Sequence, residues 1–303
     1  MSAVITKLTE MVIMIVLGYI CAKLKISGPE FNKHTSTVLT NVLLPATILK
    51  SMTGLNNGID NSEIFYVILL FFLMMGIAGV VGKLVTVVYP FDKDDRGIIL
   101  CLVMYMNISF VGFPLVESFY GAEGMVYACL SCVPMNLLMF SAGVATISGN
   151  KAEGINFKRI LNVPLISTIL GVAIMMLQIP MPEVVSATIH SLANATIPVS
   201  MLILGSSLAA IPVVTAFNDL GVYVTAFSRL IICPVVTYLI LSLFVDNEML
   251  IGTVTILAST PVAVLMTPLC VQYGKSDQLS SKNIFISTIL SIVTMPIIMW
   301  VLL

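Results

Sequence analysis

Charge is scarce in this chain. Only 10% of its 303 residues are charged, 14 basic against 15 acidic. A soluble domain of this length carries roughly a quarter of its residues as charges to cover its surface, so a soluble globular protein is excluded. Histidine is rarer still, with two residues, and the net charge is −1 with no basic patch. That excludes a nucleic-acid-binding surface. There is no G-x-S-x-G, no H-E-x-x-H and no pair of buried acids, so neither an activated nucleophile nor a metal-bound water is predicted, and the chain is not read as an enzyme. No ATP-binding motif is present, so any uphill work must draw on an ion gradient or the membrane potential. The six cysteines all fall within apolar runs. Cys129 and Cys132 form a C-x-x-C, but it is embedded in "VYACLSCVPMNLL" and reads as small buried thiols, not a redox or metal site. No cofactor and no metal are expected.

Apolar residues, by contrast, make up 58% of the chain, and the mean hydropathy is +1.08. Runs of about 20 apolar residues recur, each long enough to cross a hydrocarbon core of about 30 Å as a helix. They are continuous and not alternating, which favours helices over a closed barrel. Ten spans are predicted, at 4–23, 35–53, 62–89, 97–119, 123–148, 159–179, 186–210, 217–244, 248–273 and 278–303. The first has no basic leader and no small-residue cleavage site, and reads as a retained span. With the N-terminus outside, 11 of the 14 basic residues fall on the cytoplasmic side, Lys23, Lys93, Lys151 and Lys275 among them. Lys7 and Lys50 fall outside. Both termini are therefore expected to face out. Arg229, inside the eighth span, either snorkels to the inner interface, the favoured reading, or faces a polar cavity.

The two halves of the chain echo each other. The second span reads "NVLLPATILKSM" and the seventh "NATIPVSMLILG", each with Asn, three residues and then Pro. The fourth ends "FPLVESFYG" and the ninth "TPLCVQYG". Both matches are offset by five spans, and an odd offset turns one copy upside down relative to the other. The expected organisation is therefore a 5+5 inverted repeat, 1–150 and 151–303, as in secondary transporters. Aligning Pro114 with Pro268 sets Asn107 opposite Pro261, so "MNIS" and "STPVAV" fall near mid-depth in spans 4 and 9. Met106, Asn107, Pro114, Pro261 and Pro268 mark the expected breaks. Proline removes an N–H and clashes with the preceding turn, and unpaired backbone in hydrocarbon costs several kcal/mol. Two such breaks are expected to face a cavity or each other, with half-helix ends holding an anion.

Asn107 is the first candidate for a substrate contact, because an amide can donate to a carboxylate. Asn136 either faces the same cavity or joins two helices. Ser109, Ser259 and Thr260 either line the cavity or bond back to their own helices. Glu117, one turn past Pro114, is an outer-vestibule group and a candidate for proton coupling.

"LGYICAKLKISGPEFNKHTSTVLTNVLLPATIL", "NISFVGFPLVESFYGAEGMVYA", "PVSMLILGSSLA" and "QLSSKNIFISTILSIVTMPIIMWVLL" together resemble the auxin efflux carrier family, from the first span to the last. That family includes bacterial permeases described as malate or malonate carriers and, more distantly, the plant PIN-FORMED auxin exporters. The resemblance implies an all-α fold of ten membrane helices of the bile-acid-symporter and sodium/proton-antiporter type, with helices 4 and 9 broken and crossed. It further implies a scaffold of spans 1, 2, 6 and 7, a transport bundle of spans 3–5 and 8–10, and homodimers in the plasma membrane. The expected function is secondary active transport of a small organic anion, malate-, malonate- or auxin-like, with a proton or sodium as candidate coupling ion. The alternative is a ligand-sensing protein of the same fold without transport. An ion antiporter ranks lower, because antiporters of this fold place aspartates beside the crossing and this chain has none there. The chain also departs from the family pattern, with Met106 where the plant carriers have proline and Leu265 where many bacterial relatives have asparagine.

Overall fold

The computed structural model describes residues 2–53, 61–149, 161–210 and 219–303. The connection 150–160 lies outside the described residues, and with it the expected repeat boundary and Lys151, Lys158 and Arg159. The described residues are almost entirely helical. In chain order the helices are α1 (Ser2–Lys23), α2 (29–53), α3 (Asn61–Val88), α4 (Arg96–Met104), α5 (108–130), α6 (132–148), α7 (Val163–Met176), α8 (Glu183–Asn194), α9 (Thr196–Ala210), α10 (220–241), α11 (Glu248–Ser259), α12 (Met266–Gln272) and α13 (Asp277–Leu302). Among the described residues, five helical stretches are long and apolar enough to cross a membrane: Ser62–Val88, Ile108–Ser148, Glu183–Ala209, Leu220–Leu241 and Gln278–Leu302. Val163–Met176 and Glu248–Ser259 are shorter apolar helices.

Several starts are written in the local sequence. The side chains of Asn162, Asn247 and Ser276 accept from the backbone N–H groups of Leu165, Leu250 and Leu279 at 3.0, 3.0 and 3.2 Å. Each satisfies one of the donors that a helix N-terminus leaves open. The long stretch 108–148 contains the boundary expected between the fourth and fifth spans. At Gly121 the chain turns with φ +61 and ψ −148, a conformation reserved for glycine, so the helix changes direction there.

Four helices contain a π turn, at Leu39–Leu43, Ile108–Gly112, Met139–Gly143 and Ser228–Ile232. Three of them are followed, two residues on, by Pro45, Pro114 and Pro234. Proline cannot donate to the carbonyl four residues back and its ring crowds that carbonyl. A widened turn relieves the crowding without ending the helix.

The chain divides into two compact units. Unit 1 comprises Met1–Val67, Ser109–Cys132 and Leu161–Ala210, and unit 2 comprises Ile68–Ile108, Val133–Ile160 and Ile211–Leu303. In unit 1, α1 lies against α9 along its length, and α2 packs on α7 and α8. The α1–α9 contact depends on two glycines. A Cβ on Gly18 would collide with the Leu202 carbonyl oxygen, and one on Gly205 with that of Ile15. Small residues let two backbones approach this closely, the main route to helix association in lipid. The Thr47 and Thr196 hydroxyls meet at 2.7 Å, and both reach the Leu43 carbonyl at 3.1 Å.

In unit 2, α13 packs against α10, α11 and α12, and α4 against α6. Its interior is apolar, with Phe71, Ile99, Leu102, Val254 and Ile256 fully buried. On α3, Phe65, Leu69, Leu73, Val80, Leu84 and Val87 form an exposed stripe at helical spacing. Such a stripe suits lipid and not water.

Candidate functional site

The most unusual backbone lies within unit 2. Helix α4 ends at Met104, and Tyr105 turns extended, with φ −94 and ψ 123. Helix α11 ends at Ser259, and Thr260 is likewise extended, with φ −66 and ψ 152. Extended geometry is what a residue preceding proline favours, here Pro261. The two extended segments run antiparallel, with Met106 bridged to Val262. Asn107 N–H donates to the Pro261 carbonyl at 2.9 Å, and Ala263 N–H donates to the Tyr105 carbonyl at 3.0 Å. Val262 N–H donates to Ser287 Oγ on α13 at 3.2 Å. Two broken helices thus give each other the backbone partners that each has lost, which the interior of a membrane protein requires. No proline sits at the first break. It is held by pairing, and by Tyr105, whose hydroxyl donates to the Leu138 carbonyl at 2.8 Å, immediately before the π turn of α6.

The two register prolines are not at the breaks. Pro114 lies at the start of the regular helix that follows the π turn of α5, and Pro268 lies inside α12. In each case the interruption precedes them, and the helix continues through the proline.

The predicted site residues divide between the units. Met106, Asn107, Asn136, Ser259, Thr260, Pro261 and Pro268 belong to unit 2; Ser109, Pro114 and Glu117 belong to unit 1. Asn107 and Asn136 are buried, and Ser259 and Thr260 completely so. The Ser259 hydroxyl donates to the Ile256 carbonyl at 2.7 Å and that of Thr260 to the Leu257 carbonyl at 2.8 Å. Both protons are engaged with α11 carbonyls, which leaves each hydroxyl oxygen as an acceptor. Glu117 Oε1 accepts from Lys50 Nζ at 2.9 Å, and the same ammonium reaches Asn194 Oδ1 at 3.3 Å. Lys50, a lone basic residue at the end of the apolar "NVLLPATIL", is the partner that sequence reasoning missed.

Arg229 departs from the favoured expectation. It does not reach an interface: it is 0% exposed, within the π turn of α10. It is the tenth of the 22 residues of the apolar stretch Leu220–Leu241, so snorkelling would have to cover about half the span. Holding a guanidinium at that depth costs at least roughly 2.5–3.5 kcal/mol without compensation.

A helical chain with apolar stretches of membrane-spanning length, and two helices broken and paired inside one unit, defines a multi-pass membrane protein. The chain belongs to the membrane transport protein family, the auxin efflux carriers, whose model matches residues 3–299. It is 25% identical over 291 residues to an "uncharacterized transporter" of Methanothermobacter thermautotrophicus, covering 95% of each chain. It is 23% identical over 304 residues to another from Methanocaldococcus jannaschii, covering 96% of each. A protein of Rhizobium meliloti named "Putative malonate transporter" is 27% identical over 299 residues, covering 93% of this chain and 90% of its own. These relatives are transporters by name, and the chain is a membrane transporter by family.

Proposed function

We propose that this protein is a secondary active carrier of a small organic anion, a mono- or dicarboxylate, working by alternating access around the crossing of the two broken helices. The observation that carries the reading is the antiparallel pairing of Tyr105–Asn107 with Pro261–Ala263. A membrane helix is interrupted only where the freed backbone finds partners or lines a polar chamber, and in secondary transporters such interruptions mark the binding site. Asn107 is the principal ligand-contacting residue, and Asn136, Ser109, Ser259 and Thr260 are the further candidates for the transport path. The name of the Rhizobium meliloti relative makes malonate the first substrate to try.

The chain forms ten spans as a 5+5 inverted repeat. Spans 1, 2, 6 and 7 act as scaffold and spans 3–5 and 8–10 as transport bundle, in a homodimer of the plasma membrane with both termini outside. Coupling is to a proton or sodium, with Glu117, ion-paired to Lys50, as the carboxylate to test for it.

The test is uptake into proteoliposomes. Labelled malonate, malate and an aromatic monocarboxylate are offered with sodium and pH gradients varied. Wild type accumulates at least one, and Asn107→Ala lowers the initial rate by about tenfold or more, the order expected when a donor to a buried charge is removed, at unchanged folded yield. Uptake equal to empty liposomes across the panel removes the carrier reading. Saturable binding without flux would establish the sensing alternative in its place.

A further inference from the structure

We propose that Arg229, on α10 and outside the paired segments Tyr105–Asn107 and Pro261–Ala263, holds a small carboxylate within unit 2. The guanidinium is fully buried, and its Nε, Nη1 and Nη2 have no nitrogen or oxygen partner. Its side chain meets the Cys233 thiol, one turn further along α10, a weak and neutral acceptor. Arginine does not escape burial by losing its proton. A guanidinium kept charged and dry therefore requires an anion, and the described residues of unit 2 place none beside it. The described acidic side chains of unit 2, from Asp92 to Asp277, all lie in connections or at helix starts. Unit 1 shows the contrast, since its buried-side lysine, Lys50, has Glu117 at 2.9 Å.

The π turn that carries Arg229 packs against α4, α11 and α13. Two of those helices carry buried hydroxyls that likewise have no partner, Thr253 and Thr255 on α11 and Thr288 on α13. Buried polar atoms are satisfied in native proteins, so the unpartnered guanidinium on this turn calls for a partner. The fork of a guanidinium matches a carboxylate through two parallel N–H···O bonds, which selects that class over a halide.

The inference does not rest on transport, and its test reads binding alone. Purified full-length protein in detergent is dialysed into a buffer whose only anion is a bulky sulfonate, then titrated with formate, acetate, malonate or chloride. A saturable rise in melting midpoint with at least one carboxylate, and at least one labelled carboxylate retained per chain, is expected for wild type. Arg229→Gln lowers retention by about one carboxylate per chain, which Asn107→Ala leaves in place, and Arg229→Lys weakens that same portion by about tenfold, because an ammonium has no fork. Wild type that retains no carboxylate overturns the proposal, as do chloride as the sole ligand and full retention by either folded variant. Should neither variant fold, cryo-EM of wild type in malonate decides: density bridging to Arg229 supports the site, and a bare guanidinium overturns it. Retention together with failed uptake would leave this site standing and remove the carrier reading.

Discussion

The Lys50–Glu117 contact lends itself to a quantitative test. The ion pair spans 2.9 Å with the two side chains 23% and 18% exposed, so it is neither a surface pair nor a dry one. At that separation the Coulomb attraction is about 1.4 kcal/mol in a water-like dielectric and about 6 kcal/mol at an effective dielectric constant of about 20. Desolvation of both ions offsets much of the larger figure. Exposed pairs are worth about 0–1 kcal/mol, whereas removing one partner of a fully buried pair costs about 3–5 kcal/mol. For this intermediate burial we expect Lys50→Met and Glu117→Gln each to destabilise by about 1–2 kcal/mol, since each leaves the other charge half-buried and alone. The double variant should lose less than the sum, with a coupling energy of about 1–2 kcal/mol. The measurement is a double-mutant cycle by reversible unfolding in mixed detergent micelles, repeated at two salt concentrations. Asn194→Ala serves as a comparison: it removes only the longer 3.3 Å contact to the same ammonium and should cost under about 1 kcal/mol. A coupling energy within about 0.3 kcal/mol of zero would refute the reasoning.

Two further outcomes are expected. Gly205→Ala should lower the melting midpoint of the whole protein, by about 1–3 kcal/mol of overpacking, because the added methyl meets the Ile15 backbone and not a movable side chain; an unchanged midpoint would refute the close α1–α9 approach. Asp95, in the connection before α4, has its carboxyl held above the ordinary value of 3.8 by burial and by neighbouring Asp92 and Asp94, with Lys275 opposing. The folded state therefore binds that proton more tightly than the unfolded one, and stability falls as pH rises from 3.8 through the raised value. Asp95→Asn should stabilise the protein at neutral pH and make no difference below the ordinary carboxylate range, read as the difference between two melting-midpoint-against-pH curves.

Particular residues show how far the sequence alone could be read. Alignment of the halves set Asn107 opposite Pro261, and the structure joins Asn107 N–H to the Pro261 carbonyl. The fates of the other prolines were not legible. Pro45, Pro114 and Pro234 follow π turns inside continuing helices, whereas Thr260–Pro261 ends one. The local chemistry of proline is the same in all four cases. What differs is whether a second extended segment stands ready to take the freed backbone groups. At Pro261 it does, in Tyr105–Asn107, which unwinds without any proline of its own. The same holds for charge. Lys50 and Arg229 are each a lone basic residue in an apolar run, but one meets the carboxylate of Glu117 and the other the thiol of Cys233.

Composition and hydrophobic run length by themselves determined that this is a helical membrane protein, because scarce charge leaves lipid as the only solvent for its surface. The small polar residues at helix starts, and Gly121, set local geometry for the same reason, since each acts on atoms within a few residues. Tertiary structure decided which interruptions became breaks, which became π turns, and which buried charge received a counter-charge. Those outcomes depend on backbone and side-chain groups that lie far apart in the chain, and no local pattern records whether they meet.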